Sequence, residues 1–102
     1  MQLHPKKRIE IVVEASCAPR ILEMIEATGA KGYTLLHEVS GKGHRGVRND
    51  SHLTDVFRNV LIIVVAAEST ALEIISKSQP LLENYAGIVT VSDVEVVRNE
   101  HF

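Results

Sequence analysis

One glycine-rich stretch, SGKGHRGVRND (residues 40–50), combines three glycines with two arginines, a lysine and a histidine, and it could be a solvated connection or an anion-binding loop. Its glycines allow a ligand to approach the backbone closely, and successive backbone N–H groups can surround an anion. Lys42, Arg45 and Arg48 add donors, and an arginine can bind a phosphate through two nitrogens at once. Composition alone favours a solvated connection between two strands, whereas the positive charge beside glycine favours a local anion site.

Two nucleotide-binding motifs can be excluded for this stretch. Gly41, Gly43 and Gly46 match the dinucleotide pattern GxGxxG, but residues 47–58 show no apolar face of helical period. A chain of 102 residues is also too short for a doubly wound sheet with two mononucleotide halves. The Gly-Lys-Ser/Thr sequence of a P-loop does not follow at the required spacing.

The composition limits the class of protein. The chain has 102 residues, 45% of them hydrophobic and only 4% aromatic, which predicts a single domain with an aliphatic core. A net charge of −2 gives the surface no general attraction to nucleic acid or to an anionic membrane. The longest apolar run, residues 60–67, is far shorter than the ~20 residues of a membrane helix, so no membrane insertion is expected.

Cysteine usage and the N-terminus indicate the compartment. Cys17 is the single cysteine, which excludes an internal disulfide and any paired-cysteine metal or redox motif. The first fifteen residues carry charges without a long apolar run, and we read no secretory signal in them. A reducing, cytoplasmic location is therefore expected.

Periodicity predicts strands and helices in the order β-α-β-β-α-β, the ferredoxin-like arrangement. The predicted elements are strands at 8–15, 32–40, 57–67 and 88–97, and helices at 18–29 and from 70 towards 87. The expected fold is therefore α+β, a four-stranded antiparallel sheet with both helices on one face.

Residues at the helix ends support these boundaries. Ser16 or Cys17 is the expected N-cap of the first helix, and Gly29 suits the position just after its end. For the second helix, Thr70 and Glu73 have the spacing of a capping box, and Pro80 is expected to kink or restart it.

The third predicted strand is apolar on both of its faces. Leu61, Ile63 and Val65 alternate with the equally apolar residues between them, so both faces should be buried. The two helices can cover one face only. We therefore expect other copies of the chain to cover the second face, with long loops folded over the sheet as the alternative.

Other uses of this fold lack their characteristic residues. RNA-recognition domains stack bases on strand aromatics, and NVLIIVVAA (59–67) has none. A copper carrier needs a CxxC pair, and an acylphosphatase needs an arginine-bearing glycine loop where this chain has EASCAPR (14–20). Cys17 is interpreted as a packing residue at the helix start. His37, His44 and His52 lack metal-ligand spacing, so no metal site is predicted.

Two segments resemble a known family. GAKGYTLLHEVSGKGHRG (29–46) and ENYAGIVTV (83–91) are similar to the PII-like signalling proteins, especially the bicarbonate-related branch with carboxysome-associated members. The likeness covers nearly the whole chain, so it implies one PII-like domain over residues 1–102. It also implies a homotrimer, with ADP or AMP bound in clefts between subunits beside bicarbonate. ATP is a third candidate ligand, and no covalently bound cofactor is implied.

The resemblance also assigns residues to the nucleotide site. It makes residues 40–56 the T-loop and residues 83–87 the B-loop of the family. The residues it places at the nucleotide are Thr34, Gly41, Lys42, Gly43, Arg45, Tyr85, Ala86, Gly87 and Arg98. Those it places at bicarbonate are Gly41, Lys42 and Arg45. For Arg98 the alternative is a solvated strand end, and for Arg58, at the return end of the T-loop, it is a surface role.

The sequence departs from the family pattern in several places. The T-loop has no tyrosine, so the covalent nucleotidylation known in other PII proteins is not expected. The B-loop lacks the Thr-Gly…Gly-Asp-Gly-Lys pattern and its lysine, so the extra charge of ATP has fewer partners. One residue more stands between Gly32 and Gly41 than in the nearest family pattern. The tail has no cysteine pair.

The resulting hypothesis is a non-enzymatic sensor whose T-loop switches between states and controls a partner in inorganic-carbon metabolism. The protein partner is unidentified, with a bicarbonate transporter and a carboxysome-related protein as candidates. Two alternatives stay open. One is a small phosphate-ester or anhydride hydrolase using the glycine–arginine loop, with His44 and Asp50 or Asp55 as a weak acid–base pair. The other is a structural oligomer without a ligand.

Overall fold

The computed structural model of the protein describes residues 1–40 and 58–102. Within these ranges the strands and helices follow the predicted order. They are β1 (His4–Glu14), α1 (Ala18–Ala27), β2 (Thr34–Val39), β3 (Asn59–Ala66), α2 (Glu68–Leu81), β4 (Gly87–Val96) and a short 3₁₀ helix (Asn99–His101). No helix in the described ranges is long and apolar enough to cross a membrane.

The strands form one four-stranded sheet in the order β2-β3-β1-β4, and all neighbouring strands are antiparallel. Strands β1 and β3 are central, whereas β2 and β4 form the two edges. Strand β1 begins four residues earlier than predicted because His4 pairs with Val96 at the end of β4. The predicted α+β ferredoxin-like fold is confirmed.

The core lies between one face of the sheet and the two helices. Alternate residues of β1 and β3 are buried there, in the period-2 pattern expected of strands. The buried apolar residues are Ile9, Ile11, Val13, Cys17, Ala18, Ile21, Ile25, Val60, Ile62, Val64, Ala66, Ala71 and Ile74. This core is entirely aliphatic apart from Cys17, as the composition predicts.

The ends of α1 agree with the sequence. Cys17 is the N-cap, proline occupies the first turn, and Gly29 adopts the left-handed conformation after the helix with φ of +87°. Only glycine adopts that conformation without a steric penalty.

The predicted capping box of α2 is wrong. The helix begins at Glu68, two residues before Thr70, and its N-cap Ala67 has extended backbone geometry. Glu73 instead accepts a hydrogen bond from Lys77 one turn later, at 2.8 Å. Buried Ala71 and Ile74 set the helix register against the sheet, and this packing outweighs the local capping pattern.

The predicted continuation of α2 beyond Pro80 is also wrong. Pro80 lies in the last turn of the helix, which ends at Leu81. Because few residues follow Pro80 in the helix, its ring ends the helix there rather than interrupting a longer one. Residues 82–86 form the turn that leads into β4.

A β-bulge interrupts the pairing of β2 with β3. Leu36 pairs with Leu61 and Val39 with Asn59, so β2 uses three steps where β3 uses two. Inside the bulge Glu38 has φ of +57°, which is strained for a residue with a β-carbon. Between these pairs β2 therefore has one residue more than the opposing stretch of β3.

Close backbone contact fixes the start of β4. A β-carbon added to Gly87 would lie 2.8 Å from both the Val12 carbonyl oxygen and a methyl group of Val13. It would also lie 3.1 Å from Leu82. Because the Val12 oxygen belongs to the central strand, it cannot move without disturbing the sheet.

We expect Glu38→Gly to stabilise the protein by about 1 kcal/mol, because glycine adopts positive φ without strain. Denaturant unfolding measures the change. Glu38→Ala is the matched control, since it removes the same side chain but keeps the β-carbon, and it should give no such gain. Equal stability of the two variants would contradict a strained backbone at this position.

We expect Gly87→Ala to destabilise the protein by roughly 1–3 kcal/mol, because the methyl group overlaps the backbone of β1. Gly32→Ala is the control, since no heavy atom lies within 4 Å of the corresponding β-carbon. Thermal unfolding of both variants checks the prediction. A similar melting temperature for the two would show that the start of β4 tolerates a side chain.

Candidate functional site

The sheet face opposite the helices, here called the open face, carries an apolar row across all four strands. Leu36, Leu61, Val12 and Ile88 are aligned in register from β2 to β4. Leu36 is 44% exposed and Ile88 is 61% exposed. An exposed apolar band of this kind is typical of a surface that another molecule covers.

A groove of about 420 Å³ lies on the open face beside this row. Its floor includes Ile63 and Val65 of β3, and Thr34 lies on it at the start of β2. The full set of lining residues is Lys31, Gly32, Tyr33, Thr34, Ile63, Val65, Glu100, His101 and Phe102. The C-terminal segment therefore crosses the open face from β4, at one edge of the sheet, towards β2 at the other edge.

An ion pair borders the groove floor on β1. Arg8 donates to one oxygen of Glu10 through Nη2 at 2.7 Å and Nε at 3.0 Å. In the sheet, Glu10 pairs with Ile63, and Arg8 pairs with Val65. The positive charge of Arg8 and the negative charge of Glu10 thus neutralise each other beside the groove.

Arg98, the last of the predicted nucleotide residues, precedes the 3₁₀ helix and is exposed. Its Nε lies 3.6 Å from a carboxylate oxygen of Glu100, which lines the groove. The structure therefore brings Arg98 to the part of the molecule that contains Thr34. The side chain is 69% exposed, so a contact at this distance holds it weakly.

The turn before β4 contains the other predicted residues, Tyr85, Ala86 and Gly87. Tyr85 packs against the core while remaining partly exposed, and its N–H donates to the Leu82 carbonyl at 3.4 Å. The Ala86 N–H donates to a carboxylate oxygen of Glu14 at 2.8 Å. The turn is thereby held at the end of β1.

The two groups of predicted residues lie on opposite edges of the sheet. Thr34 begins β2, whereas Gly87 begins β4, and β3 and β1 lie between them. At about 4.8 Å per strand this separation is roughly 14 Å across the sheet alone. Thr34 and the turn at 85–87 are therefore not brought together within one chain.

Four predicted residues, Gly41, Lys42, Gly43 and Arg45, lie outside the described residues, as does most of the predicted T-loop. Arg58 stands at the return end of that segment, and its carbonyl accepts a hydrogen bond from the Ala15 N–H at 2.8 Å. Ser40 and Arg58 are therefore the described residues that flank residues 41–57.

Cys17 is fully buried beneath the start of α1, as expected of a packing residue. Burial raises the pKa of its thiol, and the neighbouring Glu14 carboxylate raises that pKa further. The thiol is therefore neutral at pH 7 and a poor nucleophile. Residues 1–40 and 58–102 contain no group of three or more side chains suited to hold a metal ion.

Sequence reasoning missed Glu14 and the C-terminal segment. Glu14 directly follows three apolar residues at the end of β1, but its bond to Ala86 depends on the β1–β4 register. The contact of Phe102 with the groove depends on the direction in which the chain leaves β4. Neither geometry has a local sequence signal.

Comparison with known proteins agrees with this architecture. A family model described as Nitrogen regulatory protein P-II matches residues 6–101. CPII from Thiomonas intermedia K12, a PII-like protein bound to ADP, AMP and bicarbonate, has a TM-score of 0.86 and 29% identity. That match covers 99% of this chain and 96% of the other.

Two further structures are similar. The same Thiomonas protein bound to ADP and bicarbonate has a TM-score of 0.86 and 32% identity, covering 99% of this chain and 97% of the other. A putative PII-like signalling protein from Thermus thermophilus has a TM-score of 0.80 and 34% identity, covering 100% of this chain and 99% of the other. The chain belongs to the nitrogen regulatory P-II family, which confirms the resemblance found in its sequence.

Proposed function

We propose that this protein is a homotrimeric PII-like regulator that binds ADP or AMP together with bicarbonate in clefts between its subunits. The observation that carries the proposal is the placement of the predicted nucleotide residues on opposite edges of one sheet. One subunit would contribute Thr34, and its neighbour would contribute the turn at 85–87. A related chain with 29% identity binds ADP, AMP and bicarbonate.

The open face supports the homotrimer. Its apolar row of Leu36, Leu61, Val12 and Ile88 has no cover in the described part of the single chain. Packing this row against neighbouring copies would remove it from water and stabilise the assembly by about 25 cal/mol for each Å² of apolar surface buried. The same packing would bring edges of different sheets together and so assemble the cleft.

The ligand contacts follow from the chemistry of the glycine-rich stretch. Gly41, Lys42, Gly43 and Arg45 would surround the nucleotide phosphates at the base of the T-loop (about 40–56). Gly41, Lys42 and Arg45 would also hold bicarbonate, a small planar anion suited to arginine and backbone N–H donors. Tyr85, Ala86 and Gly87 of the B-loop (about 83–87) would line the ribose and phosphate side, with Arg98 approaching a neighbour's nucleotide. ATP is the third candidate ligand.

Regulation would act through the T-loop. Ligands at its base would favour one loop conformation, and that conformation would present a different surface to a partner. We propose a cytoplasmic partner in inorganic-carbon metabolism, either a bicarbonate transporter or a carboxysome-related protein. Because the two ligands share the loop base, each should change the affinity of the other by the same factor.

The proposed role requires no chemical turnover. The family comprises regulatory proteins. The hydrolase alternative would instead use the glycine–arginine loop, with His44 and Asp50 or Asp55 as its acid–base pair. Product analysis after incubation with ADP or ATP separates the two functions. Release of phosphate in proportion to protein would favour the hydrolase.

We expect Arg45→Ala to weaken ADP and bicarbonate together by roughly tenfold or more, because one bidentate donor serves both anions. Calorimetric titration with ADP, with and without bicarbonate at constant pH and ionic strength, measures both effects. Arg20→Ala on the exposed side of α1 is the charge-matched control and should leave both affinities unchanged. Unaltered binding in Arg45→Ala would remove this arginine from the site.

We expect Leu61→Asp to dissociate the trimer, because a carboxylate in a buried apolar interface loses its hydration without a partner. Light scattering coupled to size exclusion gives the mass. Leu72→Asp is the matched control, since Leu72 is 58% exposed on α2, away from the open face. A trimer that survives Leu61→Asp would show that the open face is not the interface.

A further inference from the structure

The turn between α2 and β4 is bonded to the last residue of β1. The Ala86 N–H donates to a carboxylate oxygen of Glu14 at 2.8 Å, although the two residues are 72 positions apart in the chain. The backbone carbonyl of Glu14 also accepts the Cys17 N–H at 2.9 Å. Glu14 therefore connects the start of α1, the end of β1 and the turn before β4.

Steric contact keeps this arrangement in place. Gly87 lies so close to Val12 that an added β-carbon would be 2.8 Å from the Val12 carbonyl oxygen. With the backbone of residue 87 fixed against β1, the neighbouring Ala86 N–H stays directed towards the end of that strand. The Glu14 carboxylate is then the acceptor within reach.

This bond has an electrostatic consequence for an anionic ligand. A backbone N–H that already donates to a carboxylate is not free to donate to a phosphate. The carboxylate also brings a negative charge to the turn, and its repulsion increases with each negative charge on the ligand. The phosphate charge increases from AMP to ADP to ATP, so the repulsion by the Glu14 carboxylate should increase in the same order.

We propose that Glu14 is a specificity-determining residue, which occupies the Ala86 N–H and biases the cleft against nucleotides with longer phosphate chains. The inference rests on the proposed function, because it needs the nucleotide phosphates to lie near the turn at 85–87. Glu14 acts on the ligand through its charge and through its bond to Ala86. It defines which nucleotide the regulator senses.

The test compares AMP, ADP and ATP binding in the wild-type protein and in Glu14→Gln by calorimetry at fixed pH and ionic strength. Glutamine keeps an acceptor oxygen for the Ala86 N–H but carries no charge. We expect the affinity gain to increase from AMP to ADP to ATP, reaching roughly tenfold for ATP at low salt. The gain should shrink at higher ionic strength, where screening weakens repulsion.

Two further variants separate charge from other effects. Glu14→Asp keeps the charge on a shorter side chain, and it should retain the wild-type order of preference even if the bond to Ala86 is lengthened. Glu26→Gln removes one negative charge from an exposed position on α1 and should leave all three affinities unchanged. The amide exchange rate of Ala86, measured by NMR, reports whether each variant keeps the turn folded.

The outcomes distinguish the two proposals. Equal affinity changes for the three nucleotides in Glu14→Gln, or no change, would overturn the specificity role while wild-type binding leaves the proposed function standing. A wild-type protein that binds none of the three nucleotides would overturn the proposed function and the specificity role together. A graded gain in Glu14→Gln, absent from Glu14→Asp and Glu26→Gln, is the result that the proposal expects.

Discussion

Strand β3 is apolar on both faces, and the architecture of the chain depends on how each face is covered. On one face, Val60, Ile62 and Val64 are buried beneath the helices. On the other face, Leu61 and Ile63 remain partly exposed in the single chain and continue into an apolar row and a groove. Since water is a poor solvent for such a surface, we propose that the open face packs against another copy of the chain.

The same constraint explains where a ligand site can form. The sheet order β2-β3-β1-β4 puts the segment leading to the glycine-rich stretch on one edge and the turn at 85–87 near the other. We propose that residues on opposite edges of one sheet share a ligand here because a second sheet supplies one of them. Assembly and ligand binding are therefore expected to be coupled, because the surface that drives one creates the site for the other.

Much of the fold could be predicted because strand alternation and helix ends are local signals. The alternation of residues along β3 was sufficient to predict that strand, and the position of Gly29 was sufficient to predict the end of α1. The start of α2 could not be predicted from Thr70 and Glu73, because the burial of Ala71 and Ile74 against the sheet decides the helix register. Local capping patterns and tertiary packing compete there, and packing prevails.

Less of the candidate site than of the fold could be predicted from the sequence. Residue types indicated the anion-binding loop and the turn, but Glu14 acquires its partner only through the pairing of Val13 with Gly87. The bulge at Glu38 was not predicted, because it depends on the pairing of Leu36 and Val39 with β3. A single sequence does not specify which residues of two distant strands pair with each other.

Native mass spectrometry of the protein with ADP tests most directly whether the nucleotide site lies between subunits. We expect a trimer that carries ADP, and a dissociated Leu61→Asp subunit that carries none although it remains folded. A single subunit that binds ADP as tightly as the assembly would contradict the account, because a site complete within one chain needs no neighbour. A trimer that never carries nucleotide would equally contradict it.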